Sequence, residues 1–168
     1  MFYNLPILSI ITFLPLLVAF FLMGISAVTR PEGKEQLAKN APRVALAVSI
    51  VVFILSLMLT LDFNSAEAGF QFVEDTDWLG GGIGYRMGVD GISVLFVLLT
   101  AFLTPLCIYA SEKSVKTRIL DYMIAFLILE TLMIGVFVSL DLVLFYLFFE
   151  AVLIPCLLYT SPSPRDRG

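Results

Sequence analysis

The stretch DLVLFYLFFEAVLIP, residues 141–155, decides the class of the chain: large apolar side chains follow one another with a single carboxylate, Glu150, in their midst. A helix rises about 1.5 Å per residue, so one entering a bilayer near Leu140 carries Glu150 roughly 15 Å inward, to the midplane of a hydrocarbon core about 30 Å thick. A carboxylate at that depth costs at least about 2.5 kcal/mol on insertion scales. Residues of this kind face a protein interior or a water-filled cavity, which marks Glu150 as a candidate member of a proton or ion path. The competing reading is a neutral packing residue held by hydrogen bonds.

Working outward, apolar character runs almost unbroken from Ile119 to Leu158. As one helix it would measure about 60 Å, twice a bilayer, so it must fold back as a hairpin. Ser139-Leu140-Asp141 holds its two most turn-prone residues, and either can cap the returning helix. The spans are then about 119–139 and 141–158. Glu130 lies about eleven residues into the first of them, so both acids are expected near the midplane on adjacent antiparallel helices. Two glutamates in one low-dielectric region resist joint ionisation. No Lys or Arg lies inside any span, so a partner base is expected from residues beyond this C-terminus or from another subunit. Glu130 is the second candidate acid, balanced against a packing role.

Hydrophobic residues make up 60% of the chain and its mean hydropathy is +0.99. Soluble domains carry about 45–50% apolar residues, so the chain reads as an integral membrane protein. Its net charge of −4 comes mostly from acids in one loop, which offers no basic face to nucleic acid. Cys107 and Cys156 sit in apolar runs without metal-ligand spacing and read as neutral membrane residues. Histidine is absent from the sequence, which removes imidazole ligation of haem and Ser-His-Asp catalysis.

Three earlier spans complete an all-α membrane bundle of about five helices. The first, 5–28, is too long for a signal-peptide core and has no Lys or Arg before it; Pro6 suits its first turn and Pro15 predicts a kink. A basic loop, 30–43, with Arg30, Lys34, Lys39 and Arg43, is expected to stay in the cytoplasm. The second span, 44–61, has Ser49 and Ser56 as its strongly polar groups. An outward loop, 62–89, holds five acids against Arg86 and a glycine-rich turn at 80–84. No Lys-Ser/Thr follows those glycines, so they do not read as a phosphate cradle.

The third span, 91–110, opens on Asp90-Gly91-Ile92-Ser93, where Asp90 can cap the helix start, with a direct role in ion transfer as the competing reading. Thr104-Pro105 predicts a break near midspan, and 111–118 is a second basic, inward loop. Basic loops after spans one and three, with an acidic loop after span two, orient the chain with its N-terminus outside.

With these residues in view, the segments YRMGVDGIS (85–93) and DLVLFYLFFEAVLIP (141–155) resemble the antiporter-like M-subunit family of respiratory complex I, chain 4 in mitochondrial naming. That complex is the proton-translocating NADH:quinone oxidoreductase. The likeness runs in order over residues 1–155 and is most like alphaproteobacterial versions. It implies a fourteen-helix fold with two inverted five-helix repeats, of which this chain holds the three leading helices and the opening two of the first repeat. It further implies that Glu150 pairs with a lysine on a later helix that has no counterpart here. Asp90, Gly91, Ser93, Asp141 and Pro155 lie in these two segments and, with Pro105 of the third span, are expected to be structural positions. FMN, the iron–sulfur clusters and quinone are implied in other subunits, and the partners are neighbouring complex I membrane subunits and the lipid bilayer. A subunit of a multisubunit cation/proton antiporter is the alternative, since it shares the fold and the mid-membrane glutamate.

Residues 156–168, CLLYTSPSPRDRG, depart from the family and look like the translation of a sequencing-library adapter. They are expected to be a non-native tail whose Ser161-Pro162-Ser163-Pro164 stops the helix early.

Overall fold

The computed structural model describes residues 6–67, 69–80, 83–114 and 118–160. In chain order these form α1 (Ile7–Val28), α2 (Pro31–Asp62), β1 (Gln71–Gly80), β2 (Ile83–Val89), α3 (Ser93–Ser114), α4 (Ile119–Val138) and α5 (Leu142–Thr160). Helices α1 to α4 are each long and apolar enough to cross a membrane, and α5 contributes a shorter apolar run, Leu142–Pro155. The chain is a multi-pass membrane protein built as a helical bundle. The final segment, 161–168, lies outside the described residues, as do Gly81 and Gly82 of the expected turn.

Three connecting segments differ from expectation. The basic segment 30–43 is mostly helix, because α2 starts at Pro31 and runs for 32 residues. Proline is at home in the first turn, where its missing N–H has no partner to lose, and the Leu, Ala, Lys and Gln that follow favour helix. At about 48 Å, α2 outruns a bilayer core, so its basic first third projects beyond the apolar layer. Lys39 there pairs with Glu35 one turn earlier at 2.8 Å. Likewise α3 continues to Ser114, past the expected end at 110.

The acidic segment is not an irregular loop; it folds as an antiparallel hairpin with Asp75 opposite Arg86, Thr76 opposite Tyr85 and Gly80 opposite Ile83. Phe72, Val73, Thr76 and Tyr85 favour a pleated strand, a signal that its charges mask. Between Gln71 and Glu74 the strand carries one residue more than its partner, a bulge in which Phe72 takes φ 55°. The hairpin is tied at both edges. Glu74 accepts from the Leu8 N–H at 2.8 Å and caps the open end of α1, while Arg86 O accepts from Leu140 N–H at 2.9 Å at the α4–α5 corner.

Helix α4 is the hub, packing on α1, α2, α3 and α5. Its neighbours build two apolar cores. The one beside the hairpin includes Leu8, Ile11, Val52, Ala101, Ile134 and Val138; the other includes Ala19, Ala45, Ile108, Met123 and Leu127. Pro15 and Pro105 both lie inside uninterrupted helices; the expected kink and break leave α1 and α3 each assigned as one element. At Pro105 the preceding Thr104 hydroxyl donates to Thr100 O at 2.9 Å, a back-bond of the kind tolerated in membrane helices.

Candidate functional site

The α4–α5 hairpin turns at Ser139–Asp141, where the sequence placed it. Ser139 Oγ donates to Gly135 O at 2.6 Å, and Asp141 Oδ1 accepts from the Val143 N–H at 2.8 Å and the Leu144 N–H at 3.4 Å. Those N–H groups, the Val143 one foremost, hold the Asp141 carboxyl below the usual aspartate value, with the Arg86 charge adding to them. Counting from this corner, Glu130 and Glu150 each lie nine residues away, about 13.5 Å along their helices. Equal depth is thus a consequence of where the corner falls.

Their surroundings are opposite. Glu130, on the hub helix, is 2% exposed, and its Oε2 accepts from Ser49 Oγ of α2 at 2.9 Å. Glu130 Oε1 has no hydrogen-bond partner among the described residues. Glu150 is exposed on the outer face of α5, with Tyr146 one turn earlier as its neighbour. The two acids therefore do not face each other, although their helices touch. Helical geometry gives the reason: Leu144 and Phe148 are the buried stripe of α5, and a residue two positions after Phe148 is rotated about 200° from it. Among the described residues no Lys or Arg forms an ion pair with either glutamate.

The other singled-out residues shape the ends of the helices. Asp90 Oδ1 accepts from the Ser93 N–H at 2.7 Å and the Ile92 N–H at 3.2 Å, and Ser93 Oγ accepts from the Asp90 N–H at 2.8 Å. This reciprocal box holds the Asp90 carboxyl low, the Ser93 N–H contributing most. Gly91 lies in the intervening turn, where an added Cβ would come no nearer than 3.9 Å to Phe63. Pro155 lies inside α5, and Cys107 is an exposed free thiol.

Sequence reasoning missed a second polar cluster. Ser9 Oγ, on the first turn of α1, bonds Glu74 and lies 2.6 Å from the Tyr85 hydroxyl. Burial pushes the Tyr85 phenol up. The strand pattern flanking the acids was the available signal for it.

Comparison with known proteins places the chain. A family model described as NADH-ubiquinone oxidoreductase chain 4, amino terminus, matches residues 36–140, more than half of the sequence. The chain belongs to this family. Among chain 4 relatives, NADH-quinone oxidoreductase subunit M of Rhodobacter capsulatus is 57% identical over 152 residues, covering 90% of this chain and 28% of the relative. The subunit M of Rickettsia felis is 43% identical over 154 residues, again 90% of this chain and 30% of the relative. NADH-ubiquinone oxidoreductase chain 4 of Arabidopsis thaliana is 50% identical over 113 residues, 67% of this chain and 23% of the relative. The chain thus spans less than a third of the length of these chain 4 relatives.

Proposed function

We infer that this chain is the leading membrane portion of a subunit of the proton-translocating NADH:quinone oxidoreductase, with Glu150 as the acid that couples electron transfer to proton movement. The observation that carries this reading is the 57% identity with the Rhodobacter capsulatus subunit M across 90% of the chain. The named relatives are oxidoreductase subunits, which favours the respiratory role over a cation/proton antiporter. FMN, iron–sulfur clusters and quinone belong to other subunits, where they supply the electron-transfer chemistry. The partners are the other membrane subunits of the complex, above all neighbouring antiporter-like ones. The chain sits in the bacterial inner membrane with its N-terminus in the periplasm, supported by the basic residues on the first third of α2 and near the start of α4.

What the chain contributes is a carboxylate on a membrane helix, fixed in depth by the Ser139–Asp141 corner and turned away from its own bundle. In lipid such a group is costly, so the exposed face of α5 suits cover by the later helices of the same protein, where a lysine pairs with Glu150. Charge shifts driven by quinone reduction then strengthen or weaken that pair, and proton occupancy follows the pairing. The test is Glu150→Gln in the complete complex. NADH oxidation with a soluble acceptor is expected to stay intact while proton pumping falls; full pumping in an assembled variant overturns the assignment.

A further inference from the structure

The two apolar cores of the bundle are separated by a layer in which no helix contributes an aliphatic buried side chain. Along α1 it falls at Pro15, between Ile11 and Ala19; along α2 at Ser49, between Ala45 and Val52. Along α3 it falls at Thr104, between Ala101 and Ile108, and along α4 at Glu130 and Thr131, between Leu127 and Leu132. Pro15 and Pro105 lack N–H groups, so the carbonyls of Ile11 and Ala101 lose their usual helical donors beside this layer. Among the described residues, the buried side-chain oxygens without a partner are Thr12 Oγ1, Glu130 Oε1 and Thr131 Oγ1, all on α1 and α4, which pack together.

We propose that Glu130, with Ser49 as its hydroxyl donor, is a second proton-holding site, enclosed by α1 to α4 and separate from Glu150. This deepens the proton-translocation reading and rests on it. Ser49 donates to Oε2, which leaves Oε1 as the oxygen that carries the proton. That oxygen engages no described side chain, so its proton is the free end of the pair. Among the described residues, no charged side chain faces it from the packed elements. From Ile7 to Val28 α1 has no ionisable residue, and those of α2 lie at 32–43 and at Asp62. The described ionisable side chains of α3 are Cys107 and Tyr109, both exposed. On α5, Tyr146 and Glu150 are exposed on the outer face, and on α4 itself Asp121 and Tyr122 are about two turns away. A carboxyl buried without a cation is held as the neutral acid. Holding α2 to α4 needs only an amide or a hydroxyl; what a carboxyl adds is a proton it can release.

The complete complex in liposomes tests this by the infrared C=O stretch of protonated carboxyls, isolated by exchange from H2O into D2O during turnover. Glu130→Gln is expected to delete one exchange-sensitive band, Ser49→Ala to move that band to higher frequency, and Glu150→Gln to leave it in place. Unchanged carboxyl bands in both Glu130→Gln and Ser49→Ala overturn the proposal and leave Glu130 a hydrogen-bonded peg. Should Glu130→Gln not assemble, Ser49→Ala decides: a shifted band supports the site and an unmoved one rejects it. Pumping in Glu150→Gln reports separately on the coupling role, so the two readings fail independently.

Discussion

Phe148 of α5 lies flat against Gly135 of α4: a Cβ placed on that glycine would fall 2.5 Å from Phe148 Cδ1 and 2.6 Å from Cε1. The absence of a side chain at Gly135 is what lets α5 seat its ring on the hub helix, and that seating turns Glu150 outward. Gly135→Ala removes the space. Overpacking of this kind costs about 1–3 kcal/mol, against a helix-propensity gain of roughly 1 kcal/mol for replacing glycine. Thermal unfolding of the purified complex should show a loss for Gly135→Ala that shrinks when Phe148→Leu is added. Additive losses would mean that the two residues are not in contact.

The carboxylate of Glu74 supplies the acceptor that the open N-terminus of α1 lacks, taking N–H groups from Leu8 at 2.8 Å and Ser9 at 3.2 Å. A cap of this type is worth about 1 kcal/mol. Glu74→Ala should therefore speed hydrogen exchange at the Leu8 and Ser9 amides, with Glu74→Gln falling between it and the parent. Arg86→Ala serves as the control. It breaks an exposed ion pair with Asp75 and should leave those amides unchanged.

Much of the bundle was legible because the bilayer leaves few choices. A 40-residue apolar run has to turn, and Ser139 with Asp141 was the place where a turn had chemistry to support it. The depth of both glutamates followed from that corner. What a linear reading could not supply was the face each acid presents: α5 is apolar on every side, so no periodic stripe distinguishes the buried Phe148 from the exposed Phe149. Which face is inside was settled by Gly135, a residue that reads as unremarkable in an apolar helix. The hairpin was hidden for another reason. Counting charges for orientation treats residues 62–89 as a loop, while the strand propensity of Phe72, Val73, Thr76 and Tyr85 is masked by the charges around them.

Gly88 holds the hairpin against the α4–α5 corner. A Cβ there would meet Leu140 Cδ1 at 2.7 Å and Val73 Cγ2 at 3.3 Å, while the Leu140 N–H bonds Arg86 O beside it. Gly88→Val should push the hairpin off the corner and expose the Leu140 amide to exchange. Trimming the other partner, as Gly88→Val with Leu140→Ala, should recover part of the protection. Equal exchange in the single and double variants would show that Leu140 does not set the fit.

Asp90 and Asp141 give the chain an acid-side sensitivity at two helix starts. Both carboxyls are held below the ordinary aspartate value, Asp90 first by the Ser93 N–H and Asp141 first by the Val143 N–H. A carboxyl lowered in the folded state stabilises it fully above the unfolded value of about 3.9, and that contribution fades as pH falls through the lower, folded value. Exchange of the Ser93 and Val143 amides, referenced to a distant helical amide, should accelerate below about pH 4 in the parent chain. Asp90→Asn should flatten that acid limb at Ser93 while sparing Val143, and Asp141→Asn should do the reverse. An acid limb that survives at Ser93 in Asp90→Asn would assign the sensitivity to another group.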